Sequence, residues 1–420
     1  MGVRDWPASP RSQLGVSGAE PPLPPMIAEF QQTLRRFALE VVRPLGMRLD
    51  RMSAGEVIAP GSPFWEFHRK YRELGIGIET LRALSPEDLS LMFPILFEEL
   101  GYGDAGLAIS AGASTLPLLL AYRFDNGFLL ERFSDSQLGC WGITEPDHGS
   151  DQLDPSGQLL DSRGRYGKPN CVATLRGDRI VINGQKSAWV SNGPVAEICI
   201  LYCAADTGSG PDPSHGCVLV IPLDLPGVSR GKPLDKMGQR ALPQGEIFFD
   251  NVEVGRDYLL AGPEDYQRAV YCIHSEANGL MGGTFAGLAQ AAFDLALDYA
   301  HERRQGGVPI IRHQSVQHRL FHMYRKIEAA RALTRRVILY NTTAPVPALQ
   351  AAMTSKVTGT QTSFEVASEA LQLFGGNGLT REYPLEKLLR DARASLIEDG
   401  CNEILAIKGG CYLIDEARLR

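Results

Sequence analysis

The sequence predicts an α+β protein that is mainly α, with helices towards both ends of the chain and a β domain between them. Three observations favour this class. Apolar residues recur at helical spacing from Met26 and again from Asp265. From about Gln137, short alternating apolar runs are separated by turns rich in Gly, Asn and Pro. A chain of 420 residues that is 44% hydrophobic is long enough for two or three cores rather than one.

The first part of the chain predicts a flexible tail followed by a helical domain. Residues 1–25 are rich in Pro, Ser and Gly and poor in large apolar groups. We assign residues 26–136 to the helical domain because one apolar stripe begins there: Phe30, Leu34, Phe37, Ala38, Val41 and Val42. Further helices are predicted over 64–74, 86–100 and 107–123. The segment 106–122 is very apolar but contains Ser, Thr and Pro, so we expect a buried helix and no membrane span.

The middle of the chain, residues 137–258, predicts an antiparallel β domain. The expected strands are 173–176, 179–182, 187–191, 198–204, 217–222, 231–237 and 245–252. Asn183-Gly184 between two alternating runs predicts a hairpin turn. The polar stretch 152–170 predicts an insertion.

The last part, residues 259–420, predicts a helical bundle. A stripe with a period of 3.6 residues includes Phe285, Leu288, Ala292 and Tyr299. Further helices are predicted over 314–340, 346–374 and 384–396, with Pro384 in a first turn, where no amide donor is lost.

Charge and cysteine content exclude several classes of function. The net charge of −7 provides no basic face for nucleic acid. The eight cysteines form neither a CxxC pair nor a zinc-ligand spacing, so we expect free thiols in a reducing compartment and no metal site. No charged segment followed by an apolar core opens the chain. We therefore expect no signal peptide and a cytoplasmic protein.

The residues that carry chemistry concentrate near the C-terminus. Gly375, Gly376 and Gly378 follow a helical run that ends in Gln372-Leu373-Phe374, and three glycines in four residues let the backbone approach a ligand closely. Further on, Glu398 and Asp399 precede Gly400, where a tight loop can aim a carboxylate as a general base. The alternative is a helix C-cap followed by a solvated acidic turn.

The stretch from Gln372 to Ile404 resembles the C-terminal signature of the acyl-CoA dehydrogenase family. The shared pattern is a Gln, a Gly-Gly-x-Gly turn, Glu-Tyr-Pro, Glu-Lys, Arg-Asp-Ala and an acidic loop with Gly. The resemblance extends from about Met26 to the C-terminus. It implies an N-terminal helical domain, a middle β-barrel, a C-terminal four-helix bundle and FAD as cofactor.

Two segments of the β domain resemble the family's flavin-contacting signatures. The first runs from Trp141 to Asp151, and the second from Gly184 to Gly193. A Thr can hydrogen-bond the polar edge of a flavin, and a glycine turn offers amide donors to phosphate. The resemblance assigns these cofactor contacts to Trp141, Ile143, Thr144, Gly149, Ser150, Trp189 and Ser191. The alternative is a strand that ends in a Pro-Gly turn, with Trp189 as an ordinary core residue.

A third group resembles the segments that reach the FAD of a neighbouring subunit. Its members are Arg303, Gln314, Gln372, Gly375 and Gly376. The planar guanidinium of Arg303 suits pyrophosphate oxygens. Such a site requires a homodimer or a homotetramer. Gly306 replaces the family's frequent Phe. Cys401, which replaces a usual Thr, and Glu403 are further cofactor positions.

The resemblance implies FAD-dependent α,β-dehydrogenation of an acyl thioester carried by CoA or by a carrier protein. A carboxylate removes the Cα proton, hydride passes from Cβ to flavin N5, and an acceptor such as an electron-transfer flavoprotein reoxidises the enzyme. The base position falls on Asp399, where the family usually has Glu. A displacement of about 1 Å can cost on the order of 10²-fold in rate, so Glu398 and then Glu276 remain alternative bases.

Substrate contacts are assigned to Ser150, Asn278 and Gly400, and the loop from Gln239 to Leu242 is expected near the acyl pocket.

Two other functions remain open. One is an oxygen-dependent monooxygenase or N-hydroxylase on the same fold. The other is a flavin-binding protein without dehydrogenase turnover.

Overall fold

The computed structural model describes residues 22–153 and 168–414. Residues 1–21 of the tail predicted over 1–25, and most of the predicted insertion at 152–170, lie outside these residues. Within them the chain runs from helices through a sheet to helices again, which confirms the predicted fold class.

Within residues 22–138, eight helices and a π-helical segment precede the sheet. They are α1 (Pro25–Phe37), the π-helical segment Ala38–Val42, α2 (Arg43–Leu49), α3 (Ala54–Ile58), α4 (Pro63–Arg72), α5 (Ile78–Ala83), α6 (Pro86–Gly103), α7 (Ala105–Arg123) and α8 (Gly127–Arg132). By length and composition α7 is apolar enough to cross a membrane, but 83% of its most apolar window is buried inside the molecule. The buried helix predicted over 107–123 is therefore confirmed.

The middle of the chain forms a mixed sheet. Its strands are β1 (Gly139–Gly142), β2 (Cys171–Arg176), β3 (Arg179–Ser191), β4 (Ile198–Asp206), β5 (Pro211–Pro222), β6 (Val228–Arg230), β7 (Gln244–Gly255) and β8 (Leu259–Ala261). The order is β6-β7-β3-β2-β4-β5-β8, with β1 paired to β4. The pairs β1–β4 and β2–β4 are parallel. The sequence analysis expected an antiparallel sheet, and these two parallel pairs make that expectation wrong in part.

Two details of the predicted strands are wrong. Asn183-Gly184 lies inside the continuous strand β3, at an irregularity in its pairing with β7, and not in a hairpin turn. Gly184 has φ +116°, and a Cβ there would lie 1.9 Å from the Asn170 carbonyl oxygen, so only glycine fits. The tight turn is Gly177-Asp178, between β2 and β3. The segment 231–237 is not a strand.

Among the described residues, the C-terminal part is built from three long helices followed by two shorter ones. They are α9 (Tyr266–Glu302), α10 (Gln314–Thr343), α11 (Leu349–Phe374), α12 (Leu385–Ser395) and α13 (Asn402–Ile414). A short hairpin of β9 (Arg304–Gln305) and β10 (Val308–Pro309) separates α9 from α10. By length and composition α9 could also cross a membrane, but 78% of its most apolar window is buried inside the molecule.

The N-terminal helices pack closely on the bundle. A Cβ on Gly287 of α9 would lie 1.9 Å from the Glu98 carbonyl oxygen, and one on Gly101 of α6 would lie 2.0 Å from that of Thr284. A buried ion cluster adds a second connection. Lys387 Nζ of α12 lies 2.6 Å from Asp104 Oδ2 and 2.5 Å from Asp391 Oδ2. The N-terminal helices and the bundle thus meet at α12, directly before the acidic residues 398 and 399.

Candidate active site

The loop between α12 and α13, residues 396–401, is named here the acidic loop. Asp399 adopts a left-handed backbone conformation with φ +50°, and Gly400 follows with φ +84°. For a residue with a Cβ this conformation is strained, and such strain is found disproportionately at functional sites. The loop turns its backbone at the residue that the sequence places as the base.

Three contacts from other elements anchor the backbone of the acidic loop. Lys356 Nζ of α11 donates a hydrogen bond to the Gly400 carbonyl oxygen at 2.9 Å. Asn278 Nδ2 of α9 donates to the Asp399 carbonyl oxygen at 3.3 Å. The Cys401 amide donates to Ser150 Oγ at 3.1 Å. The structure therefore brings together four predicted residues, Asp399, Cys401, Asn278 and Ser150, around one loop.

The two neighbouring carboxylates have different surroundings. Glu398 accepts a hydrogen bond from Gln239 Nε2. Asp399, which is half-buried, accepts no side-chain hydrogen bond from any residue that the structure describes. Burial raises the pKa of Asp399 to about 6, against the opposing charge of Lys356. Burial and the neighbouring Asp399 charge raise the pKa of Glu398 to about 7. At neutral pH, Asp399 is thus the more ionised carboxylate and the one free to accept a proton.

Glu276 lies apart from the acidic loop. It forms an ion pair with Arg123 of α7, whose Nη2 lies 2.7 Å from Glu276 Oε1. Asn278, two residues later on α9, contacts Asp399. Two residues correspond to about 200° around a helix, so Glu276 and Asn278 point to nearly opposite sides of α9. Glu276 is held in a separate ion pair and does not join the two carboxylates of the loop.

The first signature is divided between a buried and an accessible part. The Ile143 carbonyl oxygen accepts hydrogen bonds from Gln152 Nε2 at 3.0 Å and Lys186 Nζ at 3.1 Å. The Trp141 indole packs edge-on against His274, with ring centroids 5.3 Å apart, and its Nε1 is buried without a partner among the described residues. Ile143 is buried, Trp141 and Thr144 are half-buried, and Gly149 is exposed.

The second signature provides an exposed aromatic surface on the strand that contacts Thr144. The Ser187 amide donates to the Thr144 carbonyl oxygen at 2.9 Å, which places β3 alongside the first signature. Two residues later, the Trp189 side chain is 59% exposed. Ser191 Oγ accepts a hydrogen bond from Gln244 Nε2 at 3.3 Å. An indole of this exposure is not an ordinary core residue, and it offers a flat apolar surface on β3, two residues from the contact with Thr144.

The third group of predicted residues lies at one end of the bundle. The Tyr299 ring stacks on Phe374, with centroids 3.9 Å apart, and this contact brings the end of α9 beside the turn at Gly375. Arg303, Gln314, Gln372, Gly375, Gly376 and, near the acidic loop, Glu403 are all exposed. Gly375 has φ +60°, and no atom lies within 4 Å of a Cβ built on Gly375 or Gly376. The turn is thus open to a ligand.

This end of the bundle is far from the acidic loop within one chain. Lys356, which contacts Gly400, and Phe374, which precedes the glycine turn, both lie on α11 and are 18 residues apart. At 1.5 Å per residue they are about 27 Å apart along the helix axis. The two predicted groups of cofactor residues therefore face different regions of the same chain.

The backbone conformation of a hairpin turn explains why position 306 is a glycine, which the sequence analysis did not predict. Gly306 and Gly307 form the two-residue turn between β9 and β10, with φ +62° and +82°. Positive φ at both central residues is the requirement of a type I′ hairpin turn, which glycine meets without strain. A Phe at position 306 would be strained in this hairpin.

Lys356 is the site residue that sequence analysis did not identify. It lies in the helical run 349–374, is fully buried, and contacts the acidic loop and Asn402. The available indication was that Lys356 is the only basic residue of α11. A charged residue is almost never fully buried unless it has partners.

The order of helices, mixed sheet and helices, together with a loop that holds two adjacent carboxylates and an exposed indole on the strand that contacts Thr144, fits the class of flavin-dependent oxidoreductases. The comparisons with known proteins agree. The model for the acyl-CoA dehydrogenase middle domain matches residues 140–252, and that for the acyl-CoA dehydrogenase C-terminal domain matches residues 275–408.

Similar proteins cover most of the chain. Benzylmalonyl-CoA dehydrogenase of Aromatoleum aromaticum is 30% identical over 90% of this chain and 95% of its own. Glutaryl-CoA dehydrogenase of Desulfococcus multivorans is 31% identical over 74% of this chain and 79% of its own. The structure of butyryl-CoA dehydrogenase from Megasphaera elsdenii superposes with a TM-score of 0.80 at 25% identity, covering 94% of this chain and 100% of the other. The chain belongs to the acyl-CoA dehydrogenase family and is an oxidoreductase of that type.

Proposed function

We propose that this protein catalyses FAD-dependent α,β-dehydrogenation of an acyl thioester, with Asp399 as the base that removes the Cα proton. The observation that carries the proposal is the acidic loop itself. Its backbone is anchored from α9, α11 and Ser150, while the Asp399 carboxylate accepts no hydrogen bond from a described residue. A fixed backbone with a free carboxylate is what a general base requires.

The surroundings of the two signatures fit a flavin. Thr144 and the exposed Trp189 indole would face the ring, and Gly149 leaves its backbone open. Arg303 and the open Gly375–Gly376 turn would bind the dinucleotide end. FAD, when bound, accepts the hydride from Cβ of the acyl group.

The 27 Å separation along α11 supports a cross-subunit arrangement. Residues at the bundle end would complete the cofactor site of a second copy, in a homodimer or homotetramer. The acyl group would be carried by CoA or by a carrier protein, and an acceptor such as an electron-transfer flavoprotein would reoxidise the cofactor. Residues Ser150, Asn278 and Gly400, around the acidic loop, would lie on the substrate side.

The residues of this chain divide the proton chemistry between them. Glu398 is already bound to Gln239, and its pKa of about 7 leaves it about half protonated at neutral pH. Asp399, with a pKa of about 6, is about nine-tenths ionised there. Asp399 is therefore the better proton acceptor, even though its side chain is one methylene shorter than Glu.

The test is an anaerobic titration of the FAD-loaded protein with straight, branched and cyclic acyl-CoAs, following flavin absorbance. We expect at least one to bleach the flavin, and Asp399→Asn to slow bleaching by about 10²–10⁴-fold, the usual contribution of a general base. Glu398→Gln is the matched control, since it neutralises the adjacent carboxylate and should retain most of the rate.

Unchanged bleaching in Asp399→Asn would remove Asp399 as the base. If no acyl-CoA bleaches the flavin, acyl-carrier-protein substrates are tested next. Oxygen consumption by the reduced flavin with substrate turnover would favour the monooxygenase alternative. Flavin binding without either reaction would favour a binding protein.

A further inference from the structure

Lys356 is a buried cation that the proposed reaction has not used. Its side chain has no exposed surface, yet it carries an ammonium group in the middle of α11. Burying an ammonium is costly unless it is paired and hydrogen-bonded. One of its hydrogen-bond acceptors is the Gly400 carbonyl oxygen of the acidic loop, at 2.9 Å, and the other is Asn402 Oδ1, directly after the loop, at 2.8 Å.

Neither of these acceptors is a carboxylate, so the hydrogen bonds alone do not neutralise the ammonium. The ionisable groups that face it are Asp399, Glu398, Cys401 and Glu403. Glu403 is exposed, and Glu398 is already bound to Gln239. Asp399 is therefore the charge that the ammonium balances most directly.

We propose that Lys356 is a positioning residue, whose buried ammonium group fixes the backbone of the acidic loop and keeps the Asp399 carboxylate ionised. The inference rests on the proposed function for the role of Asp399 as base, but not for the coupling between the two charges. The geometry is reciprocal: the loop needs a donor for the Gly400 carbonyl, and the buried ammonium needs a nearby negative charge. Burial raises the pKa of Asp399, and Lys356 opposes that rise.

Thr360 supplies a matched control on the same helix. Its hydroxyl lies 3.1 Å from Asn402 Nδ2, so it supports the same end of the loop without a charge. Thr360→Val removes this support at nearly constant volume. Lys356→Met removes the charge and keeps a similar length of side chain, and Lys356→Arg keeps the charge.

The first readout does not depend on turnover. Thermal unfolding midpoints of the holoprotein are measured at pH 5 and pH 7 for wild type, Lys356→Met, Asp399→Asn and the double variant. Burial lowers the pKa of Lys356 to about 8, so its ammonium is mostly charged at both pH values. Asp399 is mostly ionised at pH 7 and largely protonated at pH 5, so losing the counter-charge costs more at pH 7. We expect the Lys356→Met loss to be larger at pH 7 by about 1–2 °C. This extra loss should vanish in the Asp399→Asn background.

The second readout is the pH dependence of flavin bleaching. We expect Lys356→Met to move the midpoint of the rate profile upward by about one pH unit or more, as loss of a nearby opposite charge does. Lys356→Arg and Thr360→Val should leave that midpoint within about half a unit.

An extra loss at pH 7 that persists in Asp399→Asn would mean that Lys356 acts on another group, and would overturn the proposal. An equal midpoint shift in Thr360→Val would also overturn it, since loop geometry alone would explain both. If Lys356→Met does not fold, a shifted midpoint in Lys356→Arg is the refuting result. Absence of any bleaching would count against the proposed function only, because the thermal comparison stands without it.

Discussion

Replacing Lys387 by Met should destabilise the protein strongly, because this lysine holds two buried carboxylates from separate parts of the fold. The side chains of Lys387, Asp104 and Asp391 are 3%, 2% and 0% exposed. Asp104 caps α7 through the Leu107 amide at 2.9 Å, and Asp391 accepts the Gln239 amide. The cluster therefore connects the N-terminal helices, the bundle and the loop that contacts Glu398.

The expected loss of unfolding free energy in Lys387→Met follows from the two carboxylates that remain without a cation. Met fills about the same volume, so little packing is lost, but two carboxylates remain buried without their cation. Removing one partner of a buried ion cluster typically costs about 3–5 kcal/mol. The cost should depend on pH. Unpaired buried carboxylates have a pKa above that of the unfolded chain, so the loss is complete above that raised pKa and shrinks as the pH falls and they take up protons.

The assay is urea unfolding at pH 8 and pH 5, followed by circular dichroism and tryptophan fluorescence, whose transitions must coincide for a free energy to be extracted. Lys70→Met is the matched control. Its ion pair with Glu66 is 2.9 Å long, and both side chains are 35% exposed, so we expect a change below about 1 kcal/mol. A Lys387→Met protein within 1 kcal/mol of wild type at pH 8 would refute the argument.

Three further outcomes follow from the site and the packing. The rate of flavin bleaching should rise about tenfold between pH 5 and pH 7, because a base of pKa about 6 goes from about a tenth to nine-tenths ionised; a flat profile in stopped-flow measurements would contradict it. Gly287→Ala should lower the unfolding free energy by about 1–3 kcal/mol, since its Cβ would overlap the Glu98 carbonyl, and an unchanged urea midpoint would count against this contact. Arg303→Ala should reduce the flavin that copurifies, with circular dichroism unchanged because Arg303 is exposed; full flavin content would remove Arg303 from the cofactor site.

The order of the fold could be predicted from periodicity, and the errors came where tertiary contacts decide. Asn183-Gly184 and Gly177-Asp178 both separate alternating runs, so local chemistry allowed a hairpin at either. Pairing of β3 with β7 runs through residues 179–191 and carries the strand past Asn183. The close approach of the Asn170 carbonyl then explains Gly184. Neither contact is visible in the spacing of the sequence.

The acidic loop was found because its motif is long, but the properties of its carboxylates were not predictable from that motif. Gln239, which binds Glu398, lies 159 positions earlier in the chain, and Asn402 is 46 positions from its partner Lys356. Hydrogen bonds over such separations depend on how the domains pack. The sequence therefore indicated which residues carry charge, and the packing decided which of them is free.

Two adjacent carboxylates can serve different roles only if their surroundings differ, and here they do. A hydrogen bond to a carboxylate stabilises its charged form and weakens it as a base, whereas two adjacent carboxylates without such bonds would repel each other and share one proton. Gln239 binds Glu398, while Lys356 balances Asp399 and anchors the next carbonyl. The left-handed backbone at Asp399 then turns successive side chains apart. The role of Asp399 as base therefore depends on Gln239 from a loop of the β domain and on Lys356 from α11. For this reason the assignment of Asp399 must be tested together with Lys356.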